Sequence, residues 1–134
     1  KPTGAASAPV GYLYIQEEIP MRVLLVEPGK EPRVCELPDT LEAMQKAVGG
    51  AIQAVYPFAE PVALICNDEG KLAGLPLNRP LYHPDEGIIY DVIAGAFFLC
   101  AAPPDSDRFA GLTEEQAARY GAYFRLPSWR PRHD

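Results

Sequence analysis

Seven polar or aromatic side chains between positions 67 and 91 are the candidates for a ligand or partner surface. Arg79 could bind a carboxylate or phosphate through two parallel hydrogen bonds, and the Pro-rich loop 76–87 would then form one wall of a small polar pocket. The alternative is that the asparagines form turns and that Arg79 pairs with Asp91 in a structural ion pair. The spacing favours this alternative, because nothing in it forces the side chains together. The seven candidates are Asn67, Asn78, Arg79, Tyr82, His83, Tyr90 and Asp91.

His83 is the one histidine with carboxylates close by in sequence, since Asp85 and Glu86 follow it. Such a histidine could act as a general base or a metal ligand. A metal site needs three or four ligands, however, and the other histidine is His133 near the end of the chain. We therefore interpret His83 as an exposed loop residue, and we predict no catalytic residue, no metal and no cofactor.

Cys35, Cys66 and Cys100 form an odd set without a C-x-x-C motif. The last two lie in apolar runs, and Glu36 beside Cys35 would raise its pKa. A nucleophilic cysteine requires a base and a positive environment. The pattern therefore predicts reduced, mostly buried thiols in a cytoplasmic protein.

Two further sequence patterns could indicate a ligand site, one for phosphate and one for nucleic acid. Gly49-Gly50 does not fit a phosphate loop, because it closes a helix, whereas phosphate loops open one. The tail places Arg125, Arg130 and Arg132 near Tyr123, Phe124 and Trp129, a mixture that can bind single-stranded nucleic acid. Acidic residues beyond position 104 balance these charges, so we predict instead that Trp129 packs back on the domain.

The composition limits the partners. The chain has 134 residues, a net charge of −6 and 48% hydrophobic residues. The negative charge argues against general nucleic-acid binding. The sequence contains no run of about 18 apolar residues, so we predict no membrane span. We expect a monomer or weak homodimer with an unidentified protein partner.

The elements that must position these residues begin with two strands at 22–27 and 33–37, which a Pro-Gly turn joins into a hairpin. A helix follows, with Asp39 or Thr40 as its cap, an apolar stripe at Leu41, Met44 and Val48, and Gly49 at its end. Strands at 51–56 and 62–66 come next.

The second half of the chain is less regular. Residues 71–75 could pair back, 76–87 read as an irregular loop, and 88–100 read as the last strand, where Gly95 indicates a bulge or a close backbone approach. Thr113 and Gln116 form a capping box for a C-terminal helix, whose apolar face includes Ala117, Tyr120 and Phe124.

This order predicts an α+β fold with a single mixed sheet of about five strands, packed by one main helix in ββαβββ order. A β-grasp-like topology is preferred over a split βαβ sandwich. We divide the chain into a linker or N-terminal extension at 1–20, where residues 12–16 could add an edge strand, a core at 21–104, and a C-terminal helix and tail at 105–134.

Several segments in combination carry a family resemblance. They are Val-Glu-Pro-Gly-Lys-Glu-Pro at 26–32, Leu-Glu-Ala-Met-Gln-Lys-Ala-Val-Gly-Gly at 41–50, Val-Tyr-Pro-Phe at 55–58, Val-Ala-Leu-Ile-Cys-Asn-Asp-Glu-Gly-Lys-Leu at 62–72, Gly-Leu-Pro-Leu-Asn-Arg at 74–79 and Ile-Tyr-Asp-Val-Ile-Ala-Gly-Ala-Phe-Phe at 89–98. Together they resemble the domain-of-unknown-function family 3846 of gut bacteria, phages and conjugative elements, over roughly residues 21–125. Gln53 departs from the Glu expected there.

The resemblance implies a cytoplasmic accessory protein of mobile genetic elements and supplies no catalytic residues. Together with the absence of an assembled catalytic set, it favours a non-catalytic accessory or protein-interaction module. The alternative is a small-ligand-binding or enzymatic domain with a polar site near Asn78, Arg79, His83 and Asp91.

Overall fold

The structure is a computed structural model that describes residues 20–83 and 85–129. The edge strand predicted at residues 12–16 lies outside them. In chain order, the elements in the described part are β1 (Pro20–Val26), β2 (Arg33–Pro38), α1 (Leu41–Val48), β3 (Ile52–Val55), β4 (Val62–Asn67), β5 (Leu77–Tyr82), β6 (Ile89–Ala94), β7 (Phe97–Ala101) and α2 (Glu114–Tyr123).

The main sheet has five strands in the order β2-β1-β7-β4-β3. The α+β class and the predicted ββαβββ order within this sheet are confirmed, since β7 closes the sheet between β1 and β4. Its four neighbouring pairs are all antiparallel, whereas a mixed sheet was expected. The strands β5 and β6 form a second, two-stranded antiparallel sheet.

The central strands are buried on both faces, so their alternate side chains serve two different cores. One core lies under α1 and contains Met44, Val48 and Phe98. The other lies under α2 and the β5–β6 hairpin and contains Phe97, Tyr120 and Phe124. The molecule therefore has three layers, with α1 alone on one face of the sheet.

The helix α1 follows its sequence signals closely. Thr40 is the N-cap, and its hydroxyl accepts a hydrogen bond from the Ala43 N–H. Gly49 ends the helix with a φ of 83°, the left-handed conformation predicted for it. Of the predicted apolar stripe, Met44 and Val48 are buried, but Leu41 is 57% exposed because it lies in the first turn, beyond the edge of the core.

The expectation of an irregular loop at 76–87 is wrong, because β5 forms there in spite of Pro80. Proline lacks an N–H donor and is tolerated in strands that have a free edge or a bulge. Both conditions hold, since β5 pairs with β6 alone and its register shifts between Leu77 and Pro80. Residues 71–75, by contrast, form turns and no strand.

The long apolar run at 88–100 is two strands and not one, because the chain turns at Gly95. Gly95 has a φ of 85°, and its N–H donates to the Pro76 carbonyl at 2.7 Å. A Cβ there would lie 2.7 Å from Leu75 Cδ1. The predicted close backbone approach is thus confirmed. The turn at Gly95 separates β6 of the hairpin from β7 of the main sheet.

The helix α2 begins at the predicted capping box, in which Thr113 and Gln116 exchange hydrogen bonds. Its residues Ala117 and Tyr120 and the following Phe124 are buried against the sheet, as predicted. The helix α2 and the β5–β6 hairpin lie on the same face of the main sheet. An open channel lined by residues of both lies between them. No helix in the described part of the chain has the length and apolar character needed to cross a membrane.

We predict that Gly49→Val lowers the free energy of unfolding by about 1–2 kcal/mol, the usual cost of a left-handed residue with a side chain. Apart from the adjoining chain, no atom lies within 4 Å of a Cβ built at Gly49, so the cost arises from φ and not from a clash with distant residues. Urea unfolding checks this. Gly49→Asn is the control, because Asn tolerates this conformation, and equal losses in the two variants would contradict the explanation.

Candidate functional site

Asn78 and Arg79 on β5 are the buried polar residues of the core. Asn78 is fully buried, and its Nδ2 donates to the carbonyl oxygens of Val26 at 3.0 Å and Gly95 at 2.9 Å. These bonds join β5 to the end of β1 and to the turn between β6 and β7. The turn-forming role considered for Asn78 is therefore wrong, since its amide bonds to distant segments of the chain.

Arg79 is only 2% exposed and joins three further segments. Its Nε donates to the carbonyl of Phe124 and its Nη2 to the carbonyl of Lys30, each at 2.7 Å. Its Nη1 donates to Asn78 Oδ1 at 2.6 Å and to Ser128 Oγ at 3.0 Å. The guanidinium thus connects the β1–β2 turn, the end of α2 and the tail. We call these contacts the Arg79 clasp.

The acceptors in the Arg79 clasp are all uncharged oxygens. Burial lowers the pKa of Arg79, and the charge of Glu31 opposes this shift. No carboxylate among the described residues forms an ion pair with it. The proposed Arg79–Asp91 pair is absent, because Asp91 pairs with Lys71.

Asn67 and Asp91 lie together in a separate small groove of about 160 Å³, which Gln53 and Lys71 also line. Asn67 is a local structural residue there, as the alternative predicted. Its Nδ2 donates to the Val48 carbonyl at the end of α1, and its Oδ1 accepts from the Glu69 N–H. Gln53, the departure from the expected Glu, lines the same groove.

A larger groove of about 490 Å³ lies in the channel between α2 and the hairpin. We call it the aromatic groove. Its lining consists of Pro57, Phe58, Ala59, Glu60, Tyr82, His83, Gly87, Arg119, Tyr120 and Tyr123. The ring of Phe58 anchors its base, with centroids 4.6 Å from Tyr120 and 6.2 Å from Tyr123.

The rim of the aromatic groove is unusually exposed for apolar surface. Tyr82 is 40% and Tyr123 is 50% exposed. The exposed patch continues along the hairpin through Ile89, which pairs with Tyr82, to Tyr90. Burial raises the pKa of Tyr123, and the charges of Tyr82 and Tyr90 raise it further.

The polar end of the aromatic groove is a network around Glu60. Its carboxylate accepts from Arg119 at 2.8 Å and also from the Tyr120 hydroxyl and Gln116. The hydrogen bonds from Arg119 and then Tyr120 lower the pKa of Glu60 to about 2. Burial and the Glu60 hydrogen bond raise the pKa of Tyr120 to about 12. Glu60 therefore stays ionised and neutralises Arg119.

His83 lies at the other end of the aromatic groove. It is half-buried, whereas an exposed residue was expected. The backbone holds it in the hairpin, since its N–H donates to the Ile88 carbonyl at 2.8 Å. Its Nδ1 is buried and has no hydrogen-bond partner within residues 20–83 and 85–129. No carboxylate in these ranges hydrogen-bonds to the ring, so the ring lacks the orienting partner of a catalytic triad.

A second groove, of about 360 Å³, adjoins the first and shares Tyr82 and Tyr123 with it. We call it the basic groove, because Arg79 and Arg125 line it together with Trp129. Trp129 packs back on the domain, as predicted, and its backbone N–H donates to the Asn78 carbonyl at 2.9 Å. The tail residues Arg130 and Arg132 lie outside the described residues.

The cysteines do not contribute a nucleophile to either groove. Burial raises the pKa of Cys66 to about 11 and that of Cys100 to about 12, and it also raises the pKa of Cys35. Each thiol is therefore protonated at neutral pH. Within the described ranges, no three His, Cys, Asp or Glu side chains are grouped to hold a metal ion.

The seven sequence-predicted residues are thus distributed over several places. Tyr82 and His83 line the aromatic groove, Asn67 and Asp91 line the small groove, and Arg79 contributes to the basic groove from the core. Asn78 lies in the core, and Tyr90 is 47% exposed beside the rim.

The sequence reasoning missed Phe58, Glu60 and Arg119 as groove residues. Arg119 lies 59 positions after Glu60 in the chain, and no local pattern indicates that it meets Phe58 and Glu60. The one signal was the placement of Tyr120 and Tyr123 three residues apart on a helix, which puts both rings on neighbouring positions of one side.

The chain belongs to the domain of unknown function family DUF3846, whose model matches residues 21–125. The resemblance inferred from the sequence is therefore confirmed. The matched region includes both helices, the main sheet except for its first residue, Pro20, and all residues that line the aromatic groove. No curated protein and no solved structure matches the chain.

We predict that Arg79→Ala lowers the free energy of unfolding by about 3 kcal/mol or more, because it leaves several buried acceptors without a donor. Chemical denaturation checks this. Arg125→Ala is the control: its side chain is exposed, so we expect a change within about 0.5 kcal/mol. Equal stability of wild type and Arg79→Ala would contradict the assigned role of the Arg79 clasp.

We predict that the Glu60 network is lost in acid. Because the folded-state pKa of Glu60 is depressed from 4.5 to about 2, its contribution to stability is complete above pH 4.5 and declines as the pH falls towards 2. Unfolding free energies of wild type and Glu60→Gln should therefore converge across this range. Arg119→Gln should weaken this pH dependence of stability. A difference in unfolding free energy between wild type and Glu60→Gln that stays constant with pH would contradict the prediction.

Proposed function

We propose that this protein is a non-catalytic binding module and that a segment of a partner protein occupies its aromatic groove. The observation that carries the proposal is the half-exposed pair of Tyr82 and Tyr123 at the rim, supported from beneath by Phe58 and Tyr120. Aromatic side chains with a buried ring face and an accessible hydroxyl are enriched at protein interfaces.

The continuity of the apolar surface supports this choice. Ile88 is 58% exposed and Ile89 41% exposed, so the patch extends from the groove along the hairpin. Contiguous exposed apolar surface of this kind is typical of interaction sites. Aromatic-lined grooves are also the sites where extended, Pro-containing segments bind in several recognition domains.

The chemistry of the groove supports binding over catalysis. Its ionised carboxylate, Glu60, is held by Arg119 and Tyr120 and is not free to move a proton. The Nδ1 atom of its histidine has no hydrogen-bond partner among the described residues. The thiols belong to the cores and are protonated at neutral pH.

A small-ligand site in the same groove is the second candidate. The volume of about 490 Å³ falls within the range of about 300–1,000 Å³ that is usual for ligand sites. The polar site considered near Asn78, Arg79, His83 and Asp91 is a weaker form of this candidate, because Asn78 and Arg79 are occupied by internal hydrogen bonds.

An accessory role in mobile genetic elements and a cytoplasmic location belong to this proposal. They rest on the family resemblance and on the reduced thiols. A binding module fits such a role, since it can act on a host or element protein without chemistry of its own.

The test is selection from a display library of random dodecapeptides, followed by affinity measurement on folded variants. We expect selected peptides to lose at least about 10-fold in affinity on Tyr123→Ala and on Tyr82→Ala, because aromatic side chains that a partner buries carry much of the binding energy. Tyr56→Ala is the matched control, since Tyr56 is 61% exposed but lies outside the aromatic groove, and its affinity should stay unchanged.

Failure to select any peptide would contradict the proposal, as would equal affinities for Tyr123→Ala and Tyr56→Ala. If small fragments shift the NMR signals of Tyr82 and Tyr123 while no peptide binds, the second candidate replaces it.

A further inference from the structure

We propose that the basic groove receives a carboxylate of the same partner segment, so that the partner is an acidic peptide. This inference rests on the proposed function and specifies its partner. An apolar side chain of the segment would occupy the aromatic groove, and an Asp or Glu side chain would cross Tyr82 and Tyr123 into the basic groove. The two grooves share these tyrosines and so present one continuous surface.

The charge of the basic groove is opposite to that of the chain. The whole protein carries −6, yet among residues 20–83 and 85–129 this lining contains Arg79 and Arg125 and no acidic residue. Glu31 lies beside this groove, where its Oε1 accepts a hydrogen bond from the Leu126 N–H, and its single negative charge, which acts on Arg79, is smaller than the two positive charges of the arginines. Charge complementarity therefore favours an anionic occupant.

Arg125 is available to such an occupant. It is exposed, and its side chain makes no ion pair or hydrogen bond to other residues of the described ranges. Arg119, the nearest comparable cation on α2, is by contrast neutralised by Glu60. Arg125 is thus the cation of this surface that an incoming carboxylate can engage.

Arg79 adds a buried positive charge behind the groove. A guanidinium has five N–H donors, and Arg79 uses four of them on uncharged oxygens. Because the Arg79 side chain is only 2% exposed, water screens its charge poorly.

A peptide fits these observations better than a nucleic acid. Binding to a phosphate backbone requires a series of cationic contacts along the strand, whereas two arginines line this groove. At the far end of the aromatic groove the hairpin turn carries exposed Asp85 and Glu86, which would repel a continuing strand. A short acidic segment avoids that turn.

The test continues the dodecapeptide selection and examines charge. We expect the selected peptides to be enriched in Asp and Glu relative to the starting library. In a synthetic version of one selected peptide, replacing its acidic residues by Asn and Gln should weaken binding about 10- to 100-fold, as expected for a hydrogen bond to a charged group.

The matched variants are Arg125→Glu and Lys46→Glu, which change the net charge equally. Arg125→Glu should weaken the acidic peptide by a similar factor and favour selection of basic peptides. Lys46→Glu, on α1 across the main sheet, should leave affinity unchanged at moderate salt.

Three outcomes would overturn the inference. Selected peptides that depend on Tyr123 but lack acidic residues and bind Arg125→Glu equally well would remove it while leaving the proposed function in place. Absence of any selected peptide would remove both. Tight binding of an oligo-dT probe that depends on Arg125 and displaces the peptide would assign the surface to nucleic acid.

Discussion

The Arg79 clasp is the interaction on which the rest of this structure depends. One buried guanidinium, with Asn78 beside it, connects the β1–β2 turn, the hairpin, the end of α2 and the tail. A buried charge is expensive unless its hydrogen bonds are satisfied. The cost is therefore tolerable only in the one arrangement that supplies these acceptors, which makes the clasp selective for this packing.

The grooves follow from that arrangement. Tyr82 lies three residues after Arg79 on β5, and Phe124, whose carbonyl Arg79 holds, follows Tyr123 directly. By setting the separation of the hairpin and α2, the clasp places the two tyrosines at a common rim. The Glu60–Arg119 ion pair then closes the polar end. A scaffold of this kind presents the aromatic surface on which the proposed binding role rests.

The features that could be predicted from sequence are those with local causes. The left-handed Gly49 and the Thr113 capping box depend on residues within a few positions and are as expected, and the helix cap is Thr40, one of the two residues considered for it. The strand β5 was missed because Pro80 is locally unfavourable and the stabilising bonds come from Lys30 and Phe124. The grooves were missed because their walls meet only through tertiary packing.

The central claim is that partner segments bind across the two adjoining grooves. The most direct measurement is NMR chemical-shift mapping of the labelled protein on addition of a selected acidic peptide. We expect the largest shifts at residues 57–60, 82–83 and 119–129, including the Trp129 indole, with little change on α1 and β2. Shifts centred on α1, on β2 or on the small groove of Asn67 and Asp91 would contradict it.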